Sequence, residues 1–151
     1  MNGVAGLGSY YRIRPEVAGG LGDDAVLDHT GERPVVTHLH YEVADWLGDC
    51  IVSTSPEYLV VPGTAARLQG AGFRSFRLAE AQVTASDQFE IFNPGGSPPE
   101  LLWLRVDGTP GVDDLGITEA GHLVVSEAVL ELLRADGFDH GLVLPWSAEQ
   151  V

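Results

Sequence analysis

Two histidines one residue apart, His38 and His40, lie in the β-branched and aromatic run Val35-Val36-Thr37-His38-Leu39-His40-Tyr41. On a strand their side chains share a face, a spacing that can chelate zinc or another metal that favours imidazole. Asp45, His122 or His140 could complete such a site. The pair alone falls short of three or four converging ligands, and two exposed or hydrogen-bonded strand histidines are the plainer expectation. A metal-dependent enzyme using the His-x-His pair is therefore the alternative, and no cofactor is expected. Cys50, the one cysteine, could act as a nucleophile if a histidine activated it. Its acidic neighbour Asp49 disfavours a thiolate and the following Ile51-Val52 points to burial, so a structural cysteine is expected. No serine sits in a Gly-x-Ser-x-Gly elbow and no Walker loop occurs. The run Gly3-Val4-Ala5-Gly6-Leu7-Gly8 lacks the preceding strand of a dinucleotide site and reads as part of a flexible tail over residues 1–9. These observations favour a protein that is not an enzyme.

Carboxylates offer a different chemistry. Asp23-Asp24 and Asp113-Asp114 are adjacent pairs. On a strand, neighbours point opposite ways, which disfavours shared magnesium binding or acid–base work. In loops such pairs aid turns and solubility, or meet arginine and lysine on a partner through charge-assisted bonds. Trp46, between Asp45 and Asp49, resembles an aromatic anchor with a charged rim, with core packing as the competing reading. Asp23, Asp24, Asp45, Trp46, Asp49, Asp113 and Asp114 are accordingly the expected partner contacts. Trp103 sits in an apolar run and is expected in the core, whereas Trp146 is expected at a sheet edge or exposed.

Twenty-two acidic residues face eight basic ones, all arginine, for a formal charge of −14. Such a surface repels phosphate backbones, so nucleic acid is disfavoured, and it attracts a basic protein; it also serves solubility. No apolar run approaches the roughly 18 residues of a membrane span. The N-terminus lacks a secretory signal, and a lone cysteine excludes an intrachain disulfide, so a reducing cytoplasm is expected.

The elements that must position these residues form one α+β domain over 10–151, with a mixed or mostly antiparallel sheet and two or three short helices. Tyr10-Tyr11-Arg12-Ile13-Arg14 alternates and stops at Pro15, as a strand does, while Gly19 to Pro34 carries loop chemistry. Val35–Tyr41 and Cys50-Ile51-Val52 read as further strands. Ala81–Phe92 reads as one or two strands interrupted at Ser86-Asp87-Gln88, and Leu101–Val106 as a strand central in a sheet. An internal echo joins Tyr58-Leu59-Val60-Val61, a helical stretch at 64–69 and Gly72-Phe73 with His122-Leu123-Val124-Val125, a helix from Ser126 and Gly137-Phe138. Each block reads strand, helix, glycine stop, strand, as a duplicated βαβ element would. Ser126 is the expected N-cap, Gly137 the stop, and Val129, Leu130, Leu132 and Leu133 the apolar face.

The stretch Val112-Asp113-Asp114-Leu115-Gly116-Ile117, followed by Leu123-Val124-Val125-Ser126-Glu127 and Leu132-Leu133, resembles immunity proteins of bacterial polymorphic toxin systems. Tyr11-Arg12-Ile13 and Trp46-Leu47-Gly48-Asp49 look similar too. The resemblance is loose over most of the chain and most specific over 113–127. It implies a cytoplasmic, non-enzymatic inhibitor that covers the active site of a cognate toxin domain. A self-associating regulatory module is the remaining alternative.

Overall fold

The computed structural model describes residues 9–54 and 56–148. Most of the tail expected at residues 1–9 lies outside them. Thirteen strands fall into four small sheets, and three helices complete the described α+β chain.

The largest assembly contains the echo noticed in the sequence. Strands β6 (Ile51–Thr54) and β7 (Glu57–Val60) form a hairpin, helix α1 (Pro62–Gly70) follows, and β8 (Phe76–Glu80) returns to the same sheet. Strand β10 (Leu102–Val106) inserts between β7 and β8, antiparallel to both, so those two run parallel. The second sheet repeats the plan with β11 (Leu115–Ile117), β12 (Leu123–Ser126), helix α3 (Glu127–Asp136) and β13 (Leu142–Trp146). Its inserted central strand is β1 (Tyr10–Arg14), from the other end of the chain. Both echoed blocks are therefore βαβ units split by an antiparallel strand.

Their helices meet. Asp136 at the end of α3 accepts bonds from Thr64 and Arg67 of α1, each at 2.7 Å. Ser126 caps α3 by accepting the Val129 N–H, Gly137 ends it at φ +112°, and Val129, Leu130 and Leu133 are buried. A helix that must stop and turn back uses a glycine there because a side chain strains the left-handed backbone. Ile13, Leu123 and Val125 of one sheet, Ile51, Tyr58, Val60 and Leu104 of the other, and both helices share one core.

The sheet holding β6, β7, β10 and β8 is buried on its second face as well. Val52, Leu59 and Trp103 face a second core with Tyr41, Val43 and Phe89. Burial on both faces explains why Ile51-Val52, Tyr58-Leu59-Val60 and Leu102-Trp103-Leu104 read as continuous apolar runs, whereas the edge strand β8 carries Arg77 and Glu80. Residues of this second core belong to β5 (His40–Val43), which pairs antiparallel with β2 (Gly19–Leu21) and parallel with β9 (Gln82–Ala85).

Several local expectations are corrected. The segment Gly19–Pro34 contains β2 and β3 (Val26–Asp28). Its glycines permit close packing: a side chain at Gly19 would overlap the Glu42 carbonyl, and one at Gly22 would overlap the His40 ring. The run Val35–Tyr41 breaks at Leu39 into β4 (Val35–His38), paired with β3, and β5. Within Ala81–Phe92 only β9 is strand. Asp87–Phe92 forms helix α2, whose N-cap Ser86 accepts the Phe89 N–H.

Candidate functional site

The two sequence-picked histidines are already engaged. His38 Nε2 lies 2.8 Å from Gln82 Oε1, a contact in which the ring donates because an amide oxygen only accepts. His40 is buried; its Nδ1 accepts the Asp24 N–H at 3.0 Å, which leaves Nε2 to bond Thr84 Oγ1 at 2.7 Å. Among the described residues no third ligand converges on this pair, so the pair serves to tie β4, β5, β9 and the turn at Asp24 together.

A different trio does converge: Glu16, Asp49 and His140 present ligand atoms within 4.8 Å of one another. Glu16 accepts the Leu47 N–H at 2.7 Å and the Asp49 N–H at 3.4 Å. Asp49, in turn, accepts the His140 N–H at 2.8 Å and the Nδ1 proton of its ring at 2.7 Å. Burial pushes the Glu16 carboxyl up, against the pull of its two backbone bonds. The bond to Asp49 holds the His140 imidazole above its ordinary value. An Asp–His pair of this kind can orient a general base, but here one Asp49 oxygen accepts the His140 backbone N–H and the other its ring, and the trio lines none of the four main surface grooves. The trio clasps the loop after β5 to the loop after α3. This corrects the partner-contact reading of Asp49, which is 1% exposed.

Cys50 is buried, as expected from its neighbours, and its thiol lies 3.5 Å from the Leu133 carbonyl. Burial pushes the thiol up to about 11, which removes it as a nucleophile near neutrality. Trp103 is buried with its indole N–H donated to Glu57 and Arg105 stacked 4.5 Å above its ring. Trp46 is half-buried against the second core, and its indole N–H donates to the Asp49 carbonyl. It therefore shapes the loop more than it projects from it.

The remaining acids are not gathered into one patch. Asp113 and Asp114 are half-buried, and Asp113 accepts the Thr109 N–H at 2.7 Å, fixing its own loop. Asp23 and Asp24 are exposed in the turn after β2, where Asp24 accepts from Gln82 at 2.8 Å. Asp45 is exposed beyond the opposite end of β5. There it lines an open groove of about 550 Å³ with Glu42 and Asp87, two acids sequence reasoning missed.

That groove is the candidate site. Glu42, Asp45 and Asp87 are all exposed, and among the described residues none of the three side chains makes an ion pair. Apolar surface adjoins them: Val17 in the groove is 72% exposed, and Ile91 and Phe92 of α2 are 73% and 63% exposed. Ile91 follows Asp87 by four residues and Gln88 by three, so it continues the helix face that lines the groove. Exposed carboxylates beside bare Ile, Phe and Val suit a protein contact with an apolar centre and a charged rim. The signal for α2 was Ser86, a capping residue followed by Asp87. No family model, curated protein or solved structure matches this chain.

Proposed function

We propose that the protein is a non-enzymatic binding protein of the bacterial cytoplasm that neutralises a basic toxin domain by covering it with the Glu42–Asp45–Asp87 groove and the adjoining Ile91–Phe92 surface. The observation that carries this reading is the exposed, unpaired acid trio beside uncovered apolar side chains. Acids without an internal cation keep their full field for a partner, and steer a basic protein toward the face that carries them. The resemblance over 113–127 to immunity proteins supplies the class of partner. The Asp113–Glu127 stretch itself is structural here, since Asp113 braces its loop and Ser126 caps α3. Among the described residues no helix is long and apolar enough to cross a membrane.

Co-expression with the toxin domain encoded beside it tests the proposal. The wild-type chain is expected to rescue growth and to co-purify with the toxin. Replacing Glu42, Asp45 and Asp87 together by their amides should weaken the complex at least about tenfold and flatten its salt dependence, as loss of a steering charge cluster does. A toxin that is neither bound nor inhibited refutes the reading.

A further inference from the structure

Arginine is scarce in this chain, and Arg12 is the one arginine of the eight that is not exposed. Arg12 lies at the centre of β1, between Val124 of β12 and Leu144 of β13, on the strand face opposite the core residue Ile13. Its Nε is buried and makes no hydrogen bond, and among the described residues its guanidinium enters no ion pair. That Nε is closed to solvent and to anything entering from outside, so the terminal nitrogens of the guanidinium are the groups left to meet a bound acceptor.

The surroundings supply the space. Arg12 lines a pocket of about 650 Å³ with Pro110, Ile117, Glu119, His122 and Trp146. The volume falls in the usual range of small-molecule sites, roughly 300–1,000 Å³. The loop carrying Pro110 is seated firmly on this face: Gly111 lies against the Trp146 ring, and Gly116 against Thr109 and Pro110, so closely that a side chain at either glycine would overlap them. Pocket walls are thus an indole, an isoleucine and a proline, and Arg12 is the one permanent cation among the described lining residues. Burial, followed by the charges of Arg12 and Arg14, pushes the His122 imidazole down, so this ring is neutral near pH 7.

We propose that this pocket binds an organic carboxylate, the carboxylate accepting from the Arg12 guanidinium and the apolar body resting against Trp146, Ile117 and Pro110. Arginine's planar fork matches a carboxylate in two-point contact. One permanent cation matches a monoanion, and the chain's −14 charge repels a dianion more strongly. The apolar walls have no use for a bare inorganic ion. This site lies on a different sheet from the acidic groove, and its test needs no toxin.

Titration of the purified, isotopically labelled protein with benzoate, and separately with inorganic phosphate, provides the test. Benzoate is expected to shift the Arg12 Nε–H and the Trp146 indole N–H resonances together and saturably. Arg12→Met, which keeps most of the stem, should weaken binding about tenfold or more, equivalent to roughly 1.4 kcal/mol. Glu119→Gln removes the one carboxylate among the described lining residues and should tighten binding, a gain that misfolding could not produce. Absence of a saturable shift overturns the proposal, as does unchanged affinity in a folded Arg12→Met variant. Saturation by phosphate with no response to benzoate overturns the carboxylate assignment.

Discussion

Asp49 and Cys50 are adjacent, yet their side chains serve opposite ends. Asp49 joins Glu16 and His140 in a hydrogen-bonded clasp, whereas Cys50 points into the main core. With its thiol held near 11 by burial, Cys50 should resist thiol reagents at pH 8 in the native protein and react promptly once denaturant is added, as a kinetic thiol titration would show. The clasp predicts a pH response. His140 is raised by its bond to Asp49, so its contribution is complete below the ordinary histidine range near 6.5 and is lost as pH rises through its folded value. Glu16 is raised by burial and acts in the same sense, favouring the fold less as it ionises above 4.5. Melting temperature should therefore fall between about pH 6 and pH 8, and His140→Gln should flatten that slope. A slope equally steep in the variant would show that the clasp is not its source. Little of this was legible beforehand. Glu16 and His140 are 124 positions apart in the chain, and they meet because β1 pairs with β13 in a register that sets Arg14 opposite Leu142, two residues from each.

Helices show where local sequence sufficed and where it did not. For α3 the cap, the apolar stripe and the glycine stop agree, and the structure follows them. Removing the cap with Ser126→Ala should lower stability by about 1 kcal/mol in chemical denaturation. The contact between α1 and α3 depends on Asp136, which accepts from both Thr64 and Arg67. Asp136→Ala leaves the Thr64 hydroxyl without that acceptor and should destabilise by roughly 1–3 kcal/mol, while Arg67→Ala alone, removing an exposed partner, should matter less. Helix α2 escaped notice because Phe89, Ile91 and Phe92 have strand propensity, and one turn and a half gives too short a window for a helical period. Misreading it hid the Ile91–Phe92 surface and the role of Asp87, so half the candidate site was invisible while Asp45 was visible. The strand-like glycines at 19 and 20 were hidden for a different reason: their pairing with β5 depends on the backbone fitting against Glu42 and Val43, which no propensity encodes.

At the scale of the whole molecule, two split βαβ units share a core, and the strand that completes the second one comes from the start of the described chain. Charge is spread over this frame with little internal compensation: among the described residues only Arg67–Asp136 and Arg77–Asp107 pair arginine with acid. Self-repulsion at −14 should therefore lower the stability of the isolated protein, whereas the same charge should favour a basic partner. Salt then has opposite effects on the two. Raising ionic strength from about 0.01 M to about 0.1 M shortens the screening length from roughly 30 Å to roughly 10 Å. The melting temperature of the isolated chain should rise over that range as the affinity for the toxin domain falls. Screening also removes the barrier to self-association, so the same series examines the edge strand β13, which leaves Leu142 and Leu144 exposed. Pro145 deprives that edge of a donor, and the strand is only five residues long, both features that discourage pairing with a second copy. Light scattering should report a monomer at both ends of the salt range. A dimer appearing only at high salt would instead place the function of this fold in self-association through β13, with the acidic surface acting as its brake.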